Sequence, residues 1–439
     1  MNKITKVILV LLSFLFIAGN TAFAADADLD AVMKKLEQLQ KQVEELEPLK
    51  QEIKALKETL KQETEGHQEQ ITSLQDQMEE VKPVFDLAEQ LAKTDLGGYF
   101  EMHYNSDVDE ENSRTLDFHR FVLNIDHEIN DWIKFYSELE LEHALVEGGE
   151  ESGELELEQA YLEFLLHKNF NVRAGILLAP IGIINQTHEP TFFNGVERPF
   201  VDKYIIPTTW FESGIGFFGE VISGLDYQLN IMSGLEGENF RASDGIRKGR
   251  QKAFKSKAKD MALVGRLEYK NIPGLNLGSS FYWGDAAQDL SGVGDVRVAI
   301  GEFDFKYTLG KFDFRGEYAK VKISDTGKLN NVLGKTSGED AIAKELEGWY
   351  LEGAYRFWQD IFPASKYDAN LFVRFDDYDT QKDMPTGYER NSLYNRNAWT
   401  FGCSFFPVEN VVIKADIQHV HQSGGGSEDL FNMGLGWQF

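Results

Sequence analysis

Arg241, Arg247, Lys248, Arg250, Lys252, Lys255, Lys257 and Lys259 follow one another within a short stretch whose only internal acid is Asp244. In a chain of formal net charge -28, such a run is where anions would gather. Lying in a long connection expected on the extracellular side, it would suit free anionic solutes and the phosphates of lipopolysaccharide equally well, with a solvated loop that has no task as the third reading. A second charged set, Glu197, Arg198, Asp202 and Lys203, sits among Phe192, Phe193, Val196, Phe200, Val201, Ile205, Ile206, Trp210 and Phe211. That company is too apolar to wave in water, so these charges must be held where the segment packs. Covalent chemistry has no comparable support. The chain has no G-x-S-x-G elbow, H-E-x-x-H pair or C-x-x-C-H haem site, and its histidines are scattered. Neither catalysis, a metal nor a cofactor is expected, and nothing in so acidic a chain invites nucleic acid.

The elements that would position these charges are strands. The last nine residues put Phe431, Met433, Leu435, Trp437 and Phe439 on odd positions, with polar residues or glycine between them. Successive side chains of a strand point to opposite faces, so this strand is greasy on one face only. Trp437 and Phe439 at its tip also suit recognition by barrel assembly machinery. From Gly97 onward similar alternation recurs, with segments beginning at Tyr99, Leu116, Ile133, Glu158, Val172, Gly214, Leu225, Leu263, Leu275, Val298, Phe312, Trp349, Ala369, Ala398, Val411 and Leu430. Short links alternate with long polar ones, the asymmetry of an outer-membrane barrel. The expected fold is an all-β transmembrane barrel of about 16 antiparallel strands over residues 97–439, preceded by an α-helical coiled coil.

The head of the chain fits that destination. Lys3 and Lys6 precede an apolar run that is too short to span as a helix, and Ala22-Phe23-Ala24 offers a cleavage site, so residues 1–24 read as a signal peptide. In residues 26–91, Leu29, Val32, Leu36, Leu39, Val43 and Leu46 are three and four apart, and the rhythm returns at Ile53, Leu56, Leu60 and at Ile71, Leu74, Met78, Val81. Such spacing predicts a coiled coil, with breaks near Pro48 and Gly66. One narrow helix cannot bury its own stripe, which implies self-association as a homotrimer. An even strand count leaves both barrel ends, and hence the coil, in the periplasm of a Gram-negative cell.

Parity turns Arg120, Lys134, Arg173, Arg266, Lys306, Arg315, Arg356, Arg374 and Lys414 toward the lumen, and a comparable set of acids with them. A cationic path for anions and mutual neutralisation across a polar wall explain this set equally well. The stretch Arg173-Ala-Gly-Ile-Leu-Leu-Ala-Pro-Ile-Gly182 and residues 192–219, with Arg198-Pro199-Phe200 and Trp210-Phe-Glu-Ser-Gly-Ile-Gly-Phe-Phe-Gly219, resemble the phosphate-selective porin O and P family. The resemblance implies a trimeric sixteen-stranded pore for small anionic solutes, narrowed by a third loop that folds inward. The matching connection here is 179–212, which would set Arg198, Lys203, Glu197 and Asp202 at the constriction. Alternatives left open by the residues are a weakly selective pore, a structural tether, and packing of the loop's apolar residues between subunits.

Overall fold

The computed structural model describes residues 87–108, 110, 113–146, 153–336 and 338–439, with residues 33–35, 37, 38, 41, 48, 78, 79, 81–83 and 85 before them. The signal segment 1–24 and most of the coiled coil expected over 26–91 lie outside the described residues. Those described between 33 and 92 are all helical, Pro48 included. Residues 97–439 form a compact unit of their own.

That unit is a closed sheet of sixteen strands in which each strand pairs with its neighbours in sequence and β1 closes on β16. The strands are β1 Thr94–Asp107, β2 Thr115–Asn130, β3 Ile133–Glu142, β4 Leu155–His167, β5 Phe170–Leu178, β6 Phe211–Ile222, β7 Leu225–Ser233 and β8 Met261–Ile272. They continue as β9 Leu275–Asp285, β10 Arg297–Leu309, β11 Phe312–Ile323, β12 Glu345–Arg356, β13 Asp368–Asp383, β14 Asn395–Val408, β15 Val411–Gln422 and β16 Ser427–Gln438. Pairing of Tyr99 with Gln438 through Asp107 with Leu430 completes the ring and leaves no open sheet edge, as a bilayer requires.

Two-residue periodicity decides which side of the sheet meets lipid. On β10, Phe303 is 51% exposed while its neighbours Glu302 and Asp304 are 4% and 2% exposed. Leu267, Phe314, Leu351, Phe401 and Ile417 are likewise turned outward. Apolar surface outside with carboxylates inside is the inverse of a water-soluble sandwich. Tight turns close one end, and Gly274 shows why they carry glycine. Its φ is +76°, and a Cβ there would lie 2.3 Å from the Thr308 carbonyl.

At the other end the long connections fold inward. The connection 179–210 carries one short helix, α1 (Val201–Tyr204), and residues 324–344 carry α2 (Thr326–Val332). Ile183, Phe193, Val201, Ile205, Ile206 and Trp210 of the first pack with Phe240 and Ile246 of the loop after β7, and with Val296, Leu329 and Ile342. Apart from Phe192, which is exposed, the apolar residues of the inward loop are thus covered by this chain's own loops and lumen wall. A third helix, α3 (Trp358–Ile361), accounts for the extra length of one turn among the short links. No helix among the described residues is long and apolar enough to cross a membrane.

Candidate pore constriction

The inward loop is fixed from the wall it crosses to. Glu317 on β11 accepts a hydrogen bond from the Ile183 amide at 3.1 Å, and Glu352 on β12 accepts from Asn194 Nδ2 at 2.8 Å. Asp376 on β13 accepts from the Phe200 amide at 2.9 Å, and Asp416 on β15 from the Val196 amide at 2.6 Å. Lys414 donates to the Phe193 and Gly195 carbonyls at 2.7 and 2.8 Å, and Arg315 to the Phe192 carbonyl at 2.9 Å. A loop without regular pairing needs such partners once it is buried. The terminal strand makes room for it, because a Cβ on Gly434 would press on Val196 at 3.2 Å, and one on Gly436 on Pro190 at 2.7 Å.

Several lumen bases expected along an open path are consumed here. Arg374 is fully buried, with Nε 3.0 Å from Asp376 and Nη1 3.4 Å from Glu352. Arg315 lies 3.2 Å from Glu352, and Arg266 is bound to Asp304 at 2.6 Å. Toward the opposite barrel end, Lys134 pairs with Glu128 at 2.8 Å and Arg173 donates to Gln228. Of the nine lumen bases given by parity, Arg120 alone lines the main cavity, hydrogen-bonded to Glu101. Parity reports that a side chain points inward; it does not report whether the lumen is filled there.

The remaining space is a cavity of about 710 Å³ between the inward loop, the loop after β7 and the wall from β14 through β1 to β4. Glu197, Arg198 and Lys203 line it, as do Arg247, Lys248, Arg250 and Lys252. Asp202 does not. It shares the turn of α1 with Lys203 but points into the wall, where it is fully buried and both carboxylate oxygens lack hydrogen-bond partners. Burial, reinforced by Glu302 and Asp376, pushes its carboxyl well above the usual range, which favours the neutral form.

The basic run after β7 is folded down rather than free. Arg247 Nη1 reaches Thr208 Oγ1 at 3.1 Å, Arg250 Nη1 reaches the Thr209 carbonyl at 2.7 Å, and Lys252 binds Glu154 and Glu156 at 2.6 and 2.5 Å. Burial, then the neighbouring Arg250 and Arg198, push the Arg247 guanidinium down to about 9, so it keeps its charge at neutral pH. Burial and then Arg120 likewise lower Arg198, whose Nη2 has no hydrogen-bond partner. These are three guanidiniums within Coulombic reach of one another. Across the cavity, Glu197 accepts from Asn105 at 3.0 Å and lies 3.2 Å from His103. Packing over Glu197 would raise it, yet His103 holds it well below the usual carboxylate range.

The phosphate-selective porin O and P family matches residues 95–433, nearly the whole barrel. The chain belongs to that family. An uncharacterised protein of Aquifex aeolicus (strain VF5) is 34% identical over 78% of this chain and 79% of its own length. Among solved structures, an anion-selective porin from Comamonas acidovorans is 11% identical and covers 79% of this chain and 99% of its own, with TM-score 0.51. Salmonella typhi OmpF in complex with daunomycin is 13% identical over 79% of this chain and 97% of its own, with TM-score 0.52. At these identities the likeness concerns the barrel alone. Family and barrel together make the chain an outer-membrane porin.

Arg396 on β14 also lines the cavity, over the Tyr204 ring at 5.6 Å, and sequence parity gave no hint of it. It lies at the strand start, where alternation is too short to read. Trp437 and Phe439 sit at the closing seam. The Trp437 ring is 5.9 Å from that of Phe100, and the Phe439 amide donates to the Gly98 carbonyl at 2.9 Å.

Proposed function

We propose that this porin conducts small hydrophilic solutes by diffusion and prefers anions, phosphate-like ones among them. The observation that carries the reading is an imbalance of pairing rather than of number. The described cavity lining has as many carboxylates as bases. Glu101, Glu140, Glu154, Glu156 and Glu197 are held by Arg120, Lys252 or His103, whereas Glu142 and Glu428 have no base in ion-pair contact among the described residues. Arg198, Lys203, Arg247, Lys248, Arg250 and Arg396 have no carboxylate in ion-pair contact among the described residues, and the two that bond Thr208 and Thr209 use neutral partners. An ion in transit therefore meets more bases than carboxylates without an ion-pair partner, where low-dielectric walls focus the field.

The test is the reversal potential of the purified protein in a salt gradient, first with chloride and then with phosphate. The wild type should favour the anion. Arg198→Gln with Lys203→Gln should move the potential toward the cation-selective side, and an unmoved potential would put selectivity elsewhere. The equal numbers of acids and bases favour a second reading, a weakly selective general pore. A wild-type potential near zero would support it. The self-associating periplasmic coil, lipopolysaccharide contacts and an assembly role for Trp437 and Phe439 belong to the same proposal and rest on the residue patterns alone.

A further inference from the structure

The geometry points to a divalent transition-metal site at the rim of the pore, formed by Asp117, His119 and His143. Asp117 and His119 are alternate residues of β2, so both side chains leave the same face of the sheet. His143 directly follows β3, whose Glu142 pairs with Arg120 of β2, and its amide donates to the His119 carbonyl at 3.0 Å. The register thus brings an imidazole from one strand end beside a D-x-H pair on the next. No linear spacing in the sequence could announce it.

The three side chains already converge. Asp117 Oδ2 lies 3.1 Å from His119 Nδ1 and 2.7 Å from His143 Nδ1, and the two rings meet edge to face with centroids 5.3 Å apart. One donor atom from each residue lies within 4.8 Å of the other two. A tetrahedral ion with bonds of about 2.0 Å has ligand atoms about 3.3 Å apart, so small rotations suffice to admit it. His143 holds this place with φ of +57°, a backbone conformation that costs a non-glycine residue roughly 1 kcal/mol or more and persists only where surroundings enforce it.

Chemistry selects the class of ion. Two imidazoles and one carboxylate with open positions suit zinc, nickel or copper, whereas calcium and magnesium take sets of oxygen ligands. Access is open, since the Asp117 and His119 side chains are 27% exposed and that of His143 is 44%. His119 also lines the cavity and stacks on His103 at 4.4 Å, the residue that holds Glu197 of the inward loop. An ion here adds positive charge at the entrance. The site goes beyond the proposed conduction and does not depend on its selectivity.

The test is calorimetric titration of the full-length protein in detergent with zinc chloride, in a buffer with excess magnesium to occupy carboxylate-only sites. Saturable binding of one ion per chain is expected. His143→Ala, which alters a half-exposed side chain beyond the strand end, should weaken it at least about tenfold, as losing even an outer-sphere partner does at known sites. Asp117→Asn should do the same, and His167→Ala, at the far end of β4, should leave affinity unchanged. Heat-modifiable gel mobility verifies that each barrel is folded. Absence of saturable zinc binding, or an unchanged affinity in folded His143→Ala, would overturn the site.

Discussion

The two faces of the inward loop are built from the same residue types and do opposite things. Against β11 to β15, arginine and lysine are buried with carboxylates or backbone carbonyls at 2.7 to 3.4 Å, and the space is filled. Toward β1 to β4, Arg198 of this loop and Arg247 of the loop after β7 face a cavity with neutral partners or none, while most of the acids opposite are paired. A charge in this lumen is therefore structural or available according to which side of one loop it stands on. Burial with a partner makes a staple, and solvent without one makes a site.

The contrast breaks most visibly at Arg374. It is fully buried between Glu352 and Asp376, so Arg374→Ala leaves two acids uncompensated and should cost about 3–5 kcal/mol. Urea unfolding of the refolded barrel measures this. Adding Glu352→Gln and Asp376→Asn should restore most of the loss. Arg198→Gln should leave the unfolding midpoint nearly unchanged, and if it proved as destabilising as Arg374→Ala, the distinction between the two faces would fall.

A smaller effect separates the faces by pH. His188, at the start of the inward loop, is buried edge-on to Tyr99, with Nε2 3.3 Å from Glu158 and 3.6 Å from Glu138. Burial alone would lower it, but the two glutamates raise it to about 10. A raised folded-state value means that its contribution is complete below the unfolded value of about 6.5 and is lost as pH climbs through about 10. Stability should decline between about pH 6.5 and 10 by a step that His188→Gln lacks. An identical decline in that variant would assign the step to another group.

Much of this architecture could be read from the chain. Ile133, Leu225, Leu275, Phe312 and Val411 begin strands where the alternation places them, because lipid outside and charge inside force a strict two-residue pattern. The inward loop was legible from its own apolarity. What could not be read was the partner of each charge. Asp202 and Lys203 are adjacent in sequence, yet one is sealed behind the loop and the other lines the cavity, a difference set by how α1 sits on the wall. Likewise nothing local in the basic run shows that Arg247 and Arg250 fold down beside Thr208 and Thr209. Local pattern encodes direction, whereas pairing depends on residues far away in sequence.

Ionic strength should resolve the available charges themselves into two kinds. Lys203 and Lys248 are exposed, while Arg198, Arg247 and Arg250 are half-buried. The screening length falls from about 10 Å at 0.1 M salt to about 3 Å at 1 M, and it acts on exposed charges far more than on partly buried ones. Anion preference, taken from reversal potentials at fixed gradient ratio, should therefore fall over that range without vanishing. The part that vanishes belongs to the lysines. In Lys203→Gln with Lys248→Gln the preference at 0.1 M should drop to near the wild-type value at 1 M and then change little with salt. A variant that remains as salt-sensitive as the wild type would mean that the screened charge lies outside the cavity, on loops that gather ions before they reach the constriction.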